Sequence, residues 1–81
     1  MAVQNLQIKT ITTSPTTLSG VKTIAILNGS ASNIITIKVS GSLESITLGS
    51  GQTLNLSAST GFVLPDLEFS GVLLNCEVVY S

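Results

Sequence analysis

The sequence predicts an all-β chain, a small antiparallel β-sandwich or jelly roll of six to eight strands, and three observations carry that expectation. Short runs in which aliphatic and polar residues alternate recur along most of the chain, the period of a half-buried strand. Turn residues, glycine, proline and asparagine among them, separate these runs at spacings of about eight to twelve residues. No stretch has the periodicity of an amphipathic helix, and no capping box precedes an apolar run.

Residues 34–59 show the pattern most clearly. Ile35, Ile37 and Val39 alternate with Thr36, Lys38 and Ser40, and Gly41 turns the chain. Ile46 and Leu48 repeat the alternation, Gly49-Ser50-Gly51 turns it again, and Leu54 and Leu56 alternate with Thr53, Asn55 and Ser57. The stretch reads as a three-strand meander with two glycine-centred hairpins. Ser50 stands at the tip of the second, so Ser50→Ala is expected to change nothing measurable.

The remaining elements attach to that meander. Residues 3–12 form a first strand, with Leu6 and Ile8 alternating with Gln7 and Lys9. Residues 12–17 form a loop, because Pro15 removes a ladder donor and biases Ser14 toward extended geometry. Residues 1–17 fit either a strand of the chain's own sandwich or an arm exchanged with a neighbouring copy. In 21–27, Val21, Thr23, Ala25 and Leu27 share one face and Lys22, Ile24 and Ile26 the other. Both faces are apolar toward its end, so this strand is expected to be covered on both sides.

Asn28-Gly29 then supplies a tight turn of residues that tolerate positive φ. Asn28-Gly29-Ser30 also fits a glycosylation acceptor, but with no export signal in the first residues the turn is the expected role. After a connection at 57–61, Phe62, Val63 and Leu64 lead to a turn at Pro65-Asp66, and Leu67 and Phe69 alternate with Asp66, Glu68 and Ser70. The longest run is 72–80, with Val72, Leu74, Cys76, Val78 and Tyr80 on one face and Leu73, Asn75, Glu77 and Val79 on the other. An exposed edge of that kind invites aggregation, so this strand is expected to be central or covered by a partner.

Composition bounds the chemistry. Residues 1–81 make a single domain, and one this small buries only about 60–65% of its unfolded surface, which leaves it in need of support. Cys76 is the only cysteine, so no disulfide forms within the chain, and its expected role is that of a small buried hydrophobe. There is no histidine, and one thiol does not make a structural zinc site; no metal or cofactor is expected. Self-association is then the expected support.

The charges are few: Lys9, Lys22 and Lys38 against Glu44, Asp66, Glu68 and Glu77, with a net charge of −1. Three dispersed lysines and few aromatic rings give little hold on phosphates or bases, so nucleic acid is not an expected partner. No run approaches the ~18 apolar residues of a membrane span, and manufacture in the cytoplasm is expected. Serine and threonine, roughly a quarter of the chain, supply the polar surface instead of ions. Hydroxyls are cheaper than ions to bury in subunit contacts, a composition that suits extracellular, virion or repetitive-assembly proteins.

The same inventory argues against an enzyme. Without histidine a serine or cysteine nucleophile lacks its commonest activator, so the many serines are not a sign of hydrolysis. Asp66 and Glu68 have the spacing of a carboxylate pair or part of a calcium site, yet no third oxygen cluster accompanies them, and they are expected to solvate a strand face. No lysine follows Gly49-Ser50-Gly51, so it is not a phosphate cradle. A lectin-like or adhesin module is the alternative, with Phe62 the one aromatic in a loop; Phe69 and Tyr80 lie on apolar strand faces and tryptophan is absent.

From residue 21 to residue 80 the arrangement resembles the small β-sandwich domains of phage virion accessory proteins, such as head decoration, fibre-base and spike proteins. The likeness rests on the aliphatic strand before Asn28-Gly29-Ser30, the hairpin at Val39-Ser40-Gly41, the ITLGSGQTLNL segment, and the last strand through Glu77-Val78-Val79-Tyr80. It implies a structural protein of a virus particle, made in the host cytoplasm and incorporated in the virion, whose partners are copies of itself and other virion proteins. The candidate subunit-interface residues are Ile24, Ile26, Leu73 and Val79. Leu74→Asp or Val79→Asp is expected to abolish assembly or folding.

Overall fold

The alternating runs fold as eight strands in the computed structural model, which describes residues 5–30, 32–72 and 74–81. They are β1 (Gln7–Ile11), β2 (Thr16–Leu18), β3 (Thr23–Asn28), β4 (Ile35–Val39), β5 (Ser45–Leu48), β6 (Thr53–Ser57), β7 (Leu67–Ser70) and β8 (Cys76–Tyr80). Pairing is antiparallel and nested: β1 pairs with β8, β2 with β7, β3 with β6 and β4 with β5. Pairing of β3 with β8 and of β4 with β7 gathers these into two sheets, β1-β8-β3-β6 and β2-β7-β4-β5. The chain is one long hairpin rolled across two layers, the arrangement of a jelly roll.

Rolling changes what the connections do. Only β4 and β5 are joined to a neighbour in the same sheet; every other connection crosses between sheets. The 34–59 stretch is therefore not a meander: β6 leaves β5 and pairs with β3 in the opposite sheet. Alternation specifies which face of a strand is apolar, but both sheets offer the same kind of inner face, so it does not choose the partner. The hairpin at Gly41 is as expected. Ser42 N–H donates to the Val39 carbonyl at 3.0 Å and Gly41 has φ +83°, a conformation that residues with a Cβ rarely adopt.

The core lies between the sheets. Ile11, Ile24, Ile26, Cys76 and Val78 enter it from the first sheet, and Leu18, Ile35, Ile37, Leu48, Leu67 and Phe69 from the second. Val21 and Leu74 close it from the connections. In β3 the branched side chains of Ile24 and Ile26 face inward, leaving Ala25 exposed and Leu27 half-buried on the outside. Within the chain this strand is thus covered on one side only, since a two-layer sandwich puts nothing of its own over an outer face.

The final strand is central, between β1 and β3, and starts only at Cys76. β7 and β8 lie in opposite sheets, so the connection between them crosses the sandwich. Gly71 presses against the entry to β4, where a Cβ would lie 2.9 Å from the Ile34 carbonyl oxygen, and its N–H donates to Ser14 Oγ at 3.2 Å. The segment around Pro15, expected to be loop as far as residue 17, yields the three-residue β2 from Thr16.

Candidate assembly surface

The strand registers line up side chains in rows across the outer face of the first sheet. Ile8 stands opposite Val79, Val79 opposite Ala25, and Ala25 opposite Asn55, so one row crosses all four strands. A second row runs Thr10, Glu77, Leu27, Thr53. Ile8 is 81% exposed, Val79 37%, and Leu6, at the start of the same face, 59%. Ile8, Ala25, Leu27, Asn55, Glu77 and Val79 line a shallow groove of ≈ 390 Å³ here. Its floor is apolar and its single charge is Glu77.

Of the three described residues among the four expected at an interface, only Val79 lies on this surface. Ile24 and Ile26 are corrected: both are core side chains, spent on the sandwich itself and turned away from any partner. Leu73 lies outside the described residues. Of the residues that complete the surface, Ala25 and Leu27 lie on the strand whose two faces were expected to be covered, whereas Ile8 was not singled out in the sequence. Each sits on an alternating run, but only the register across β1, β8 and β3 brings them side by side.

The outer face of the second sheet is polar by contrast. Glu68 stands opposite Thr17 on β2 and Lys38 on β4, and these residues, with Ser42, Leu43 and Asp66, border a depression of ≈ 470 Å³. Asp66 and Glu68 are exposed, as solvating residues are. Among the described residues no group of three or more His, Cys, Asp or Glu side chains is placed to hold a metal ion. Phe62 is 70% exposed in the connection from β6 to β7, beside Val63 and Lys22.

One end of the sandwich is tied by a polar network that the turn signal had concealed. Asn28 is fully buried, and it is not a turn residue. Its Nδ2 donates to the carbonyls of Asn33 and Leu48, each at 2.9 Å, and its Oδ1 accepts from Ser30 N–H at 2.9 Å. The side chain thus joins β3 to β5 across the two sheets and holds Ser30 and Asn33 of the following connection. An acceptor asparagine would have to offer that same Nδ2 to a glycan, so the buried bonds support the structural role. Around it Ser50 Oγ donates to the Ser30 carbonyl at 2.6 Å and Gly51 N–H to the Asn28 carbonyl at 3.0 Å. Ser50→Ala therefore removes a bond instead of being silent.

Cys76 is buried in the core behind this network. Burial, with a smaller contribution from the Glu77 carboxylate, pushes its thiol from 9.0 up to about 11. Between those values the unfolded chain releases a proton that the folded chain keeps, so stability falls as pH rises through this window. Chemical denaturation of the native chain and Cys76→Val at pH 8 and pH 10.5 should show the native chain losing more of its midpoint than the variant.

No helix among the described residues is long and apolar enough to cross a membrane. Comparison with protein-family models, with curated proteins and with solved structures finds no match to this chain.

Proposed function

We propose that this chain is a structural protein of a virus particle, a capsid decoration or spike and fibre-base component, that works by packing the outer face of its first sheet against neighbouring subunits. The observation that carries the reading is the uncovered row Ile8, Val79, Ala25, flanked by Leu6 and Leu27. Aliphatic surface left in water at the middle of a sheet favours burial by about 25 cal/mol per Å². The hydroxyls beside the row add little desolvation cost to that burial, and Glu77 is the one charge that has to keep water or find a partner there.

Two further facts support the reading. A small chain with one buried thiol and no histidine forms no internal disulfide and offers few nitrogen or sulfur ligands for a structural zinc, which favours association as the means of support. Jelly rolls serve repeatedly as viral capsid and lectin domains, an argument from fold alone. The lectin reading has less behind it, because Phe62 is the one exposed ring while Phe69 and Tyr80 pack in or against the core.

The test is Val79→Asp. The side chain points outward, so the variant should keep the far-ultraviolet circular dichroism of the native chain. A carboxylate in the middle of the apolar row should weaken association at least tenfold, about 1.4 kcal/mol or more. A folded Val79→Asp chain that assembles like the native one would count against this face.

A further inference from the structure

We infer that β1 is a self-pairing edge: two copies of the chain join antiparallel through β1, with Ile8 opposite Ile8 of the second copy, and make one eight-stranded sheet of the two first sheets. This inference rests on the assembly reading above and specifies its partner, a second copy, and its register.

The sandwich has four edge strands, β1 and β6 in the first sheet and β2 and β5 in the second. Natural edges are blunted by shortness, proline or charge. β2 has three residues and follows Pro15, and β5 has four and follows Glu44. β6 has five, but its outward residues Thr53, Asn55 and Ser57 are all polar, and Leu54 and Leu56 are already half-buried against the core, so pairing there would add little apolar burial. β1 also has five residues, and every one except Ile11 is exposed, Ile8 among them. It carries Lys9, yet it presents the most exposed aliphatic side chain of any edge, Ile8 at 81% against 40% for Ile46 on β5, so pairing there extends a ladder and covers the most aliphatic surface.

The side chains of β1 also select a register. Pairing centred on Ile8 sets Lys9 opposite Gln7 of the second copy and Leu6 opposite Thr10, with no like charges facing. Pairing centred on Lys9 would set two ammonium groups against each other, which is destabilising. In the Ile8-centred register the row Ala25, Val79, Ile8 runs on through Ile8, Val79 and Ala25 of the second copy. The apolar face is doubled and becomes continuous, since residues directly opposite in an antiparallel pair share a face. A five-residue strand pair covers less than the ~800 Å² per partner of a standard interface, so the pair dissociates on dilution.

Cysteine cross-linking tests the register directly, because the native thiol is buried and provides a quiet background. Ile8→Cys, Thr10→Cys and Asn55→Cys chains are oxidised at high protein concentration with copper phenanthroline and run on non-reducing gels, with circular dichroism to confirm folding. The expected result is a disulfide dimer for Ile8→Cys, at least tenfold above the native background, and background levels for the other two. A dimer formed through Asn55→Cys instead, or no excess with Ile8→Cys, overturns the inference. Ile8→Lys and the cross-link together separate it from the broader reading. Loss of concentration-dependent mass in Ile8→Lys, with a disulfide dimer for Ile8→Cys, supports β1 pairing, whereas loss without that dimer leaves the face as the contact and rejects the edge. Retention of the mass in Ile8→Lys, while Val79→Asp loses it, also leaves the face as the contact and rejects the edge, and retention in both rejects the two together.

Discussion

Asn28→Leu is expected to cost the fold about 3–5 kcal/mol, against a total of about 4–12 kcal/mol for a domain of this length. Leucine fits the space but offers no polar atoms. The carbonyls of Asn33 and Leu48 and the N–H of Ser30 would each lose the partner they now have. Leaving a buried group unpaired costs about 1–3 kcal/mol, and here two buried groups and a part-buried one lose their partner by one substitution. Urea unfolding should show a large drop in midpoint. A change within about 0.5 kcal/mol, the usual effect at an exposed turn, would mean that Asn28 does not tie the sheets together.

Phe69→Ala is expected to be at least as damaging, at about 3–5 kcal/mol from lost transfer energy and the cavity left behind. Phe69 is the largest fully buried side chain, on β7 directly between Thr16 of β2 and Ile37 of β4. A core this small has few neighbours able to collapse into the space. Circular dichroism and urea titration should show a drop in midpoint at least as large as that of Asn28→Leu, whereas Phe62, exposed in its connection, tolerates the same change. An intact, cooperative unfolding transition in Phe69→Ala near the native midpoint would contradict the core described above.

The particular residues show what can be read from the chain and what cannot. The strands at Ile35–Val39, Thr53–Ser57 and Cys76–Tyr80 are legible because alternation is a local property that survives in any β-fold. The hazard of an exposed final strand, argued from its apolar faces, is met by its place between β1 and β8's other neighbour β3. Which strand pairs with which is not local. Gly49-Ser50-Gly51 looks the same in a hairpin and in a crossover, and Asn28-Gly29 the same at a solvent turn and at a buried tie.

The candidate surface was legible only in part for a related reason. β3 is apolar on both faces, and the choice between Ile24 with Ile26 and Ala25 with Leu27 is made by the opposing sheet, which takes the branched pair into its core. Val79 could be placed outside because Cys76 and Val78 alternate with it. Ile8 belongs beside Val79 only through the pairing of the first strand with the last, residues far apart in the chain.

The measurement closest to the central claim is the absolute mass of the native chain by light scattering after size exclusion, across a wide dilution series. Association through the outer face and edge of the first sheet predicts a mass well above 8.3 kDa at high concentration, falling toward it on dilution. A folded chain that stays at 8.3 kDa at every concentration would contradict self-assembly as the role of the Ile8, Val79, Ala25 row.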